Sequence, residues 1–326
     1  MPLWLTESDV RAVLSTTELA TMELIDAMES ALAALSTGRV AQPVRTAIET
    51  ADRTFFALMP AFDKAHAILG AKLVTVTPAN FAKGLHTHLA SISLFDPETG
   101  ELTAVMDGRY ITEVRTAAAS AVSVRHLARA DAVVLAILGA GVQARSHLAA
   151  LPCVRNFTEI RAWSPTAANL ERFVAEAPAS VRAARTAEEA VDGADVVVLA
   201  TNAVTPAIED RWVGAGTHVI AIGACRPSQQ EIDPALVARA NLVVDSKAAA
   251  LVESGDIVQP IREGRFTPDH VRAELGEIVS GLKPGRRNES EITLFKSLGQ
   301  AIEDLVAADL AFRRARQSGR GQGLQL

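Results

Sequence analysis

Early in the chain, Leu19, Met22, Ile25, Met28, Leu32 and Leu35 recur at three- and four-residue steps. That spacing lays one apolar stripe along a helix. Ser15-Thr-Thr-Glu18 reads as a capping box that opens it, and Gly38 closes it. The period then changes. Residues 54–59, 67–76 and 89–95 are rich in β-formers, with no helical stretch between them. Asp96-Pro-Glu-Thr-Gly100 is turn chemistry, so 91–95 and 102–106 predict a hairpin. Strands in direct succession imply a mostly antiparallel sheet.

From Thr112 an Ala-rich helix is expected to about Arg129. Beyond it the pattern alternates. Strands are predicted over 132–138, 159–163, near Val181, and over 195–200, 218–222 and 242–244. Helices are predicted over 142–151, 166–176, 187–192 and 234–240. Such alternation implies a parallel, doubly wound sheet. Residues 268–279 read as helix. Ser290-Glu-Ile-Thr-Leu-Phe-Lys leads into a last helix over 298–315, and Gly319-Arg-Gly-Gln-Gly reads as a disordered tail. The domain cut is expected near Tyr110, with the last helix folding back on the first domain.

Within the alternating region, an apolar strand runs into Gly139-Ala-Gly141-Val142-Gln143-Ala144. In that context a GxGxxA pattern marks a Rossmann dinucleotide site. Gly139 makes the turn, Gly141 admits the pyrophosphate, and Ala144 packs helix on strand. The helix N-terminus offers free N–H groups to the phosphates. An NAD-preferring site usually ends its second strand in Asp or Glu. Here that position is Ser164, which does not repel a 2′-phosphate, and Arg161 in the same strand is a cation that could attract one. The cofactor is thus NAD(H) or NADP(H), leaning to NADP(H).

Composition removes other classes. A length of 326 residues allows two domains. The net charge of −6 and the low aromatic content argue against nucleic acid as a partner. Cys153 and Cys225 make neither a disulfide framework nor a zinc spacing, which fits a cytoplasmic setting. The first residues lack a signal-peptide pattern, and no apolar run reaches the roughly 18 residues of a membrane helix. His86 and His88 share a strand face with no third ligand in view, so no metal is expected.

The segment Asp107-Gly-Arg-Tyr-Ile-Thr-Glu-Val-Arg115-Thr116-Ala-Ala-Ala-Ser, with the glycine turn after it, resembles the ornithine cyclodeaminase/mu-crystallin family. Matching pieces stand in order along nearly the whole chain. They include Gln42-Pro-Val-Arg45-Thr, Gly70-Ala-Lys72-Leu-Val, Ser93-Leu-Phe-Asp-Pro-Glu-Thr-Gly, Glu253-Ser-Gly-Asp256-Ile and Glu291-Ile-Thr-Leu-Phe-Lys-Ser297-Leu-Gly.

The resemblance implies a mixed α/β substrate-binding and dimerisation domain over 1–110 and a Rossmann domain over 111–297. Residues 298–326 would form the returning helix and tail. It implies a homodimer and hydride transfer at a carbon between a nitrogen and a carboxylate. Arg45, Lys72 and Arg115 would hold the carboxylate of a small imino or amino acid, with Lys72 catalytic and Leu298 lining the pocket. For the cofactor it points to Thr87, Thr116, Gly139, Gly141, Val142, Gln143, Ser164, Thr201 and Ser297, with the backbone of Ile222, Gly223, Ala224 and Cys225. Lys72 is notable without any relative, because it interrupts an apolar run and a charge there needs a partner or a ligand.

One departure changes the expected reaction. Ornithine cyclodeaminases carry an acid/base Asp in the turn that here reads Gly223-Ala-Cys225-Arg226-Pro227. A thiol with an ordinary pKa of about 8.5 is mostly protonated at neutral pH and substitutes poorly. Ketimine reductases of the family also lack that Asp. The expected reaction is therefore reduction of a preformed cyclic imine. The substrate would be 1-pyrroline-2-carboxylate, giving L-proline, or its six-membered homologue 1-piperideine-2-carboxylate, giving L-pipecolate. Ornithine cyclodeaminase, alanine dehydrogenase and a nicotinamide-dependent ligand-binding protein remain as alternatives. Leu89 stands where many relatives carry Gln. Pro165 stands where NADP-using relatives often carry Arg, which weakens the lean to NADP(H).

Overall fold

The computed structural model describes residues 1–14, 17–50, 54–178 and 180–325. The chain forms two compact units, Met1–Arg115 with Gln300–Leu326, and Thr116–Gly299. The boundary lies inside a helix, between Arg115 and Thr116, rather than near Tyr110.

Unit 1 begins with β1 (Leu3–Leu5), α1 (Glu7–Val13) and α2 (Glu18–Ser36). The expected cap residue Ser15 lies outside the described residues. Thr17 caps α2, its hydroxyl accepting from the Ala20 N–H at 3.3 Å. Ile25, Met28 and Leu32 of the expected stripe are buried with Leu24 and Ala31, whereas Leu19 in the first turn is exposed. Next come β2 (Val40–Ala41), β3 (Thr46–Glu49), β4 (Phe55–Asp63), β5 (Ile68–Val76), β6 (His88–Phe95) and β7 (Leu102–Asp107). The ladder from β4 through β5 and β6 to β7 is antiparallel, with β1 added parallel to β7. On β4, Ala57 and Met59 point into the core, while Phe56 and Leu58 face outward. Helix α3 (Arg109–Leu127) opens before the expected Thr112, because Asp107 Oδ1 accepts the Arg109 N–H at 3.0 Å.

Unit 2 is the doubly wound part. Its elements are β8 (Val134–Leu138), α4 (Val142–Ala150), β9 (Glu159–Trp163), α5 (Ala167–Glu176), β10 (Val181–Ala183), α6 (Ala187–Val191), β11 (Val196–Leu199), β12 (His218–Ala221), α7 (Pro234–Arg239), β13 (Asn241–Val244), α8 (Lys247–Glu253), α9 (Gly255–Arg262), β14 (Val271–Glu274), α10 (Leu275–Val279) and β15 (Thr293–Lys296). The strand order is β10-β9-β8-β11-β12-β15-β13-β14, all parallel. The order reverses between β8 and β11, which is where such sheets bind ligands.

Two strands correct the sequence reading. β14 and the short α10 occupy the stretch expected to be one helix over 268–279. β15, expected to be a lead-in to the last helix, sits fully buried between β12 and β13. Four residues buried on both faces carry no readable period.

The chain then rejoins unit 1. Helix α11 (Ala301–Ser318) starts after the cap residue Gln300 rather than at Leu298, and packs on α2 and β5. The tail expected to be disordered forms β16 (Gln322–Gly323), antiparallel to β1. Gly319 and Gly321, at φ +66° and +91°, turn the chain back to that edge. Among the described residues no helix is long and apolar enough to cross a membrane.

Candidate active site

In unit 2, β8 delivers the chain to Gly139 at φ +125°. A Cβ there would lie 2.3 Å from the Ala200 carbonyl oxygen at the end of β11, so only glycine fits. Gly141 differs. Its φ is −87°, and a Cβ on it would meet nothing within 4 Å. It caps α4 without any side-chain hydrogen bond, beside the half-exposed Val142. Ala144 is fully buried behind it. This open cradle at a helix N-terminus suits a dinucleotide pyrophosphate. Ser164, half-buried, follows β9. Arg161 bonds Glu159 through Nε and the carbonyl oxygens of Glu189 and Asp192 through Nη1.

The turn after β12 rests on a buried charge network. Glu231 Oε1 accepts from the N–H groups of Gly223 and Ala224 at 2.8 and 3.0 Å, and from Lys296 Nζ at 3.1 Å. Thr201 Oγ1 donates to Glu231 Oε2 at 3.1 Å. Lys296 Nζ also lies 3.0 Å from Asp256 Oδ2, while Asp256 Oδ1 takes the N–H groups of Glu231 and Ile232. Burial alone would push the Lys296 ammonium down, but Asp256 and Glu231 outweigh it and hold it charged. Gly223 is obligatory, since a Cβ would lie 1.9 Å from the Thr201 carbonyl oxygen. Cys225 is half-buried, its N–H on Gln229 and its Sγ 3.5 Å from the Ile222 carbonyl oxygen. Asp233, the nearest downstream acid to Cys225 apart from Glu231, is spent on the N–H groups of Ala235 and Asp210 around α7. Ser297 and Leu298 are held by Asp245, whose Oδ2 accepts from the Ser297 hydroxyl and from the N–H groups of Leu298 and Gly299. Thr116 is buried on α3.

Unit 1 gathers the predicted cations. Lys72, on the inner face of β5, is 2% exposed. Its Nζ donates to Asp304 Oδ2 at 2.7 Å and to Thr112 Oγ1 at 3.2 Å. Arg115 Nε donates to Asp304 Oδ1 at 2.9 Å, and its Nη1 to Glu303 Oε2 at 2.8 Å. Burial lowers the Lys72 pKa to about 8. Asp304 opposes that fall, while Arg115 and Arg45 add to it. Burial would raise the Asp304 carboxyl, but Arg115 and Lys72 hold it low. Arg45 lies half-buried between β2 and β3, and its charge reaches Lys72. His88 is pushed down to about 3 by burial and then by Lys72, so it stays neutral. Thr87 precedes it in the loop before β6.

Sequence reasoning missed Glu303 and Asp304. They pair with Lys72 and Arg115, and Arg45 is near enough for its charge to act on Lys72. Among the described residues no group of three or more His, Cys, Asp or Glu is placed to hold a metal ion.

Comparison with known proteins covers both units. The model of the ornithine cyclodeaminase/mu-crystallin family matches residues 6–319. The ketimine reductase mu-crystallin of Rattus norvegicus is 42% identical over 315 residues, covering 95% of this chain and 96% of that protein. The structure of Thermococcus litoralis Delta(1)-pyrroline-2-carboxylate reductase in complex with NADH and L-proline aligns with a TM-score of 0.95 at 39% identity, over 99% of this chain and 100% of that one. An archaeal alanine dehydrogenase dimer with bound NAD aligns with a TM-score of 0.92 at 33% identity, over 99% of each chain.

Proposed function

The chain belongs to the ornithine cyclodeaminase/mu-crystallin family, and from that premise we propose that it reduces a cyclic imino acid with a nicotinamide dinucleotide. The product is L-proline from 1-pyrroline-2-carboxylate or L-pipecolate from 1-piperideine-2-carboxylate. The observation that carries this reading is the buried pairing of Lys72 and Arg115 with Glu303 and Asp304, with Arg45 near enough to help lower the Lys72 pKa to about 8. A cyclic imino acid brings one carboxylate for Arg45, Lys72 and Arg115 to hold.

The reaction adds a hydride to the imine carbon and a proton to its nitrogen. A bound reduced nicotinamide supplies the hydride. Gly139, Gly141 and the α4 N-terminus would hold its pyrophosphate. The turn of Ile222, Gly223, Ala224 and Cys225, with Thr201 and Ser297, would hold the rest. Arg45 and Arg115 anchor the carboxylate and so fix the imine carbon. Lys72 keeps its proton at neutral pH and is close enough to titration to give it to nitrogen. Ser164 repels neither dinucleotide, and Arg161 bonds Glu159 and the Asp192 carbonyl oxygen.

Loss of ammonia from ornithine needs an acid/base group in the turn after β12. Cys225 stands there, Asp233 caps a helix and Glu231 is locked to Lys296, which favours reduction over cyclodeamination.

The outer face of the unit 1 sheet exposes Ile48, Phe56, Leu58, Leu73 and Leu89 on paired strands. A contiguous apolar face of this kind calls for a partner. A second copy of this chain is the occupant we assign, in keeping with the dimeric alanine dehydrogenase. A monomeric mass in light scattering would refute that.

The deciding experiment follows NADH and NADPH oxidation with each imine, beside ornithine alone and pyruvate with ammonia. Turnover of an imine is expected. No turnover with either imine overturns the reading, and proline formed from ornithine without net cofactor change establishes the cyclodeaminase instead.

A further inference from the structure

Gln300 carries a buried hydrogen-bond donor that the fold does not use. It caps α11 and is only 3% exposed. The orientation of its amide is set by a chain of two contacts. The Ile302 N–H can only donate, and it donates to Gln42 Oε1 at 2.9 Å. Gln42 must therefore turn its Nε2 the other way, where it donates to Gln300 Oε1 at 2.7 Å. Gln300 in turn is left with Nε2 buried and without a hydrogen-bond partner among the described residues.

Capping does not account for that nitrogen. A helix N-terminus presents N–H groups and asks its cap for an acceptor, not a donor. A buried donor left unpaired bears the desolvation cost of the group, so each one in a native fold calls for a partner or a use. The surroundings identify the use. The Gln300 backbone N–H donates to Glu303 Oε1, while Glu303 Oε2 accepts from Arg115. One carboxylate thus separates Gln300 from the cation cluster. That cluster supplies the cations for a carboxylate. A carboxylate, however, has about four lone-pair sites to satisfy, and a neutral amide can serve one without adding charge.

We infer that Gln300 is a specificity-determining residue of the imino acid site, its amide Nε2 donating to the substrate carboxylate alongside Arg45, Lys72 and Arg115. Gln42 is the residue that positions it. The inference rests on the imine reductase reading above. Because the amide is fixed before the ligand arrives, it favours α-imino monocarboxylates over imines that lack the carboxylate.

The test is steady-state kinetics of Gln300→Met, which keeps the length of the side chain and loses the amide oxygen and nitrogen. KM for the cyclic imino acid is expected to rise by about 10- to 100-fold, the usual loss for a hydrogen bond to a charged group. The value of kcat and the dinucleotide affinity are expected to stay near those of the unaltered protein. Inhibition by pyrrole-2-carboxylate, a ring carboxylate that cannot be reduced, should weaken by the same factor. If Gln300→Met does not fold, Gln300→Glu keeps a capping oxygen, replaces the donor with an anion, and should raise KM further. An unaltered protein that turns over neither imine refutes the proposed function, and this role with it. An active protein whose variant keeps its KM, or loses kcat and cofactor affinity equally, overturns the Gln300 assignment alone.

Discussion

Replacing Asp304 by Asn probes the centre of the cation cluster. The carboxylate bridges Lys72 at 2.7 Å and Arg115 at 2.9 Å, and all three side chains are buried. Asn keeps the shape and one acceptor, but its NH2 opposes the second cation. Breaking a buried pair by removing one partner costs about 3–5 kcal/mol. The lower end applies because one bond survives, so unit 1 should lose about 3 kcal/mol, a fall in Tm on the order of 10 °C. The second effect is on the proton. Lys72 sits at about 8 with Asp304 supporting its charge and with Arg115 and Arg45 opposing it. An opposite charge at this distance supports a pKa by roughly 1–3 units. A fall of about two units would leave about 3% of Lys72 protonated near pH 7.5, against about 76% before, a loss of roughly 25-fold. The sign is fixed. The protonated amine is the active form, so activity is present below the Lys72 pKa and lost as pH rises through it. The assay is kcat/KM for imine reduction against pH, with thermal melting beside it. The alkaline limb should move to lower pH while dinucleotide binding holds. A variant whose limb and Tm both stay where they were would refute the proton role and the pairing together.

The two glycines of the dinucleotide turn should separate folding from binding. Gly139→Ala forces a Cβ to 2.3 Å from the Ala200 oxygen at positive φ and should cost about 2–5 kcal/mol of stability. Gly141→Ala meets no atom within 4 Å, so Tm without cofactor should not change, while dinucleotide affinity falls at least about 10-fold. Normal cofactor titration by Gly141→Ala would rule out the cradle. Acid stability reports two other groups. His147 and His218 are fully buried and neutral, bonded to Ser120 and the Gln143 carbonyl oxygen, and to Ser123 and Thr293. Burial holds them at about 4 and about 3, below the ordinary value of 6.5. The unfolded chain therefore takes up protons first. Stability is full above about pH 6.5 and falls as pH drops towards 4, by up to about 1.4 kcal/mol per pH unit for each histidine. A denaturant midpoint that is flat between pH 7 and 5 would contradict this.

Local chemistry is what the sequence made legible. The glycine turn is a sequence of backbone demands within a few residues, and Gly139 meets its own at positive φ against the Ala200 carbonyl oxygen. Strands β4 to β7 declare themselves by composition and turn residues. What stayed hidden depends on distant pairing. β15 is four residues long and buried on both faces, so no period marks it. β16 is made by backbone bonding to β1, which side chains do not announce. Glu303 and Asp304 look like ordinary surface acids in the first turn of a helix, and their partners lie far back at Lys72 and Arg115.

The same logic separates the two buried lysines. Lys72 and Lys296 both interrupt apolar runs, so burial alone gives them equal claims to function. Their partners do not. Lys296 faces two carboxylates, Glu231 and Asp256; Gly223 and Ala224 N–H groups share Glu231 Oε1 with it, Thr201 holds Glu231 Oε2, and the Glu231 and Ile232 N–H groups hold Asp256 Oδ1. That network pairs its lysine with two carboxylates and braces a turn. Around Lys72, Asp304 is shared with Arg115, the lysine pKa falls to about 8, and the Gln300 donor lies beside the cluster. It is the arrangement with a hydrogen-bond donor left to give and a lysine near titration, and the proposed reaction assigns the anionic substrate there rather than to Lys296.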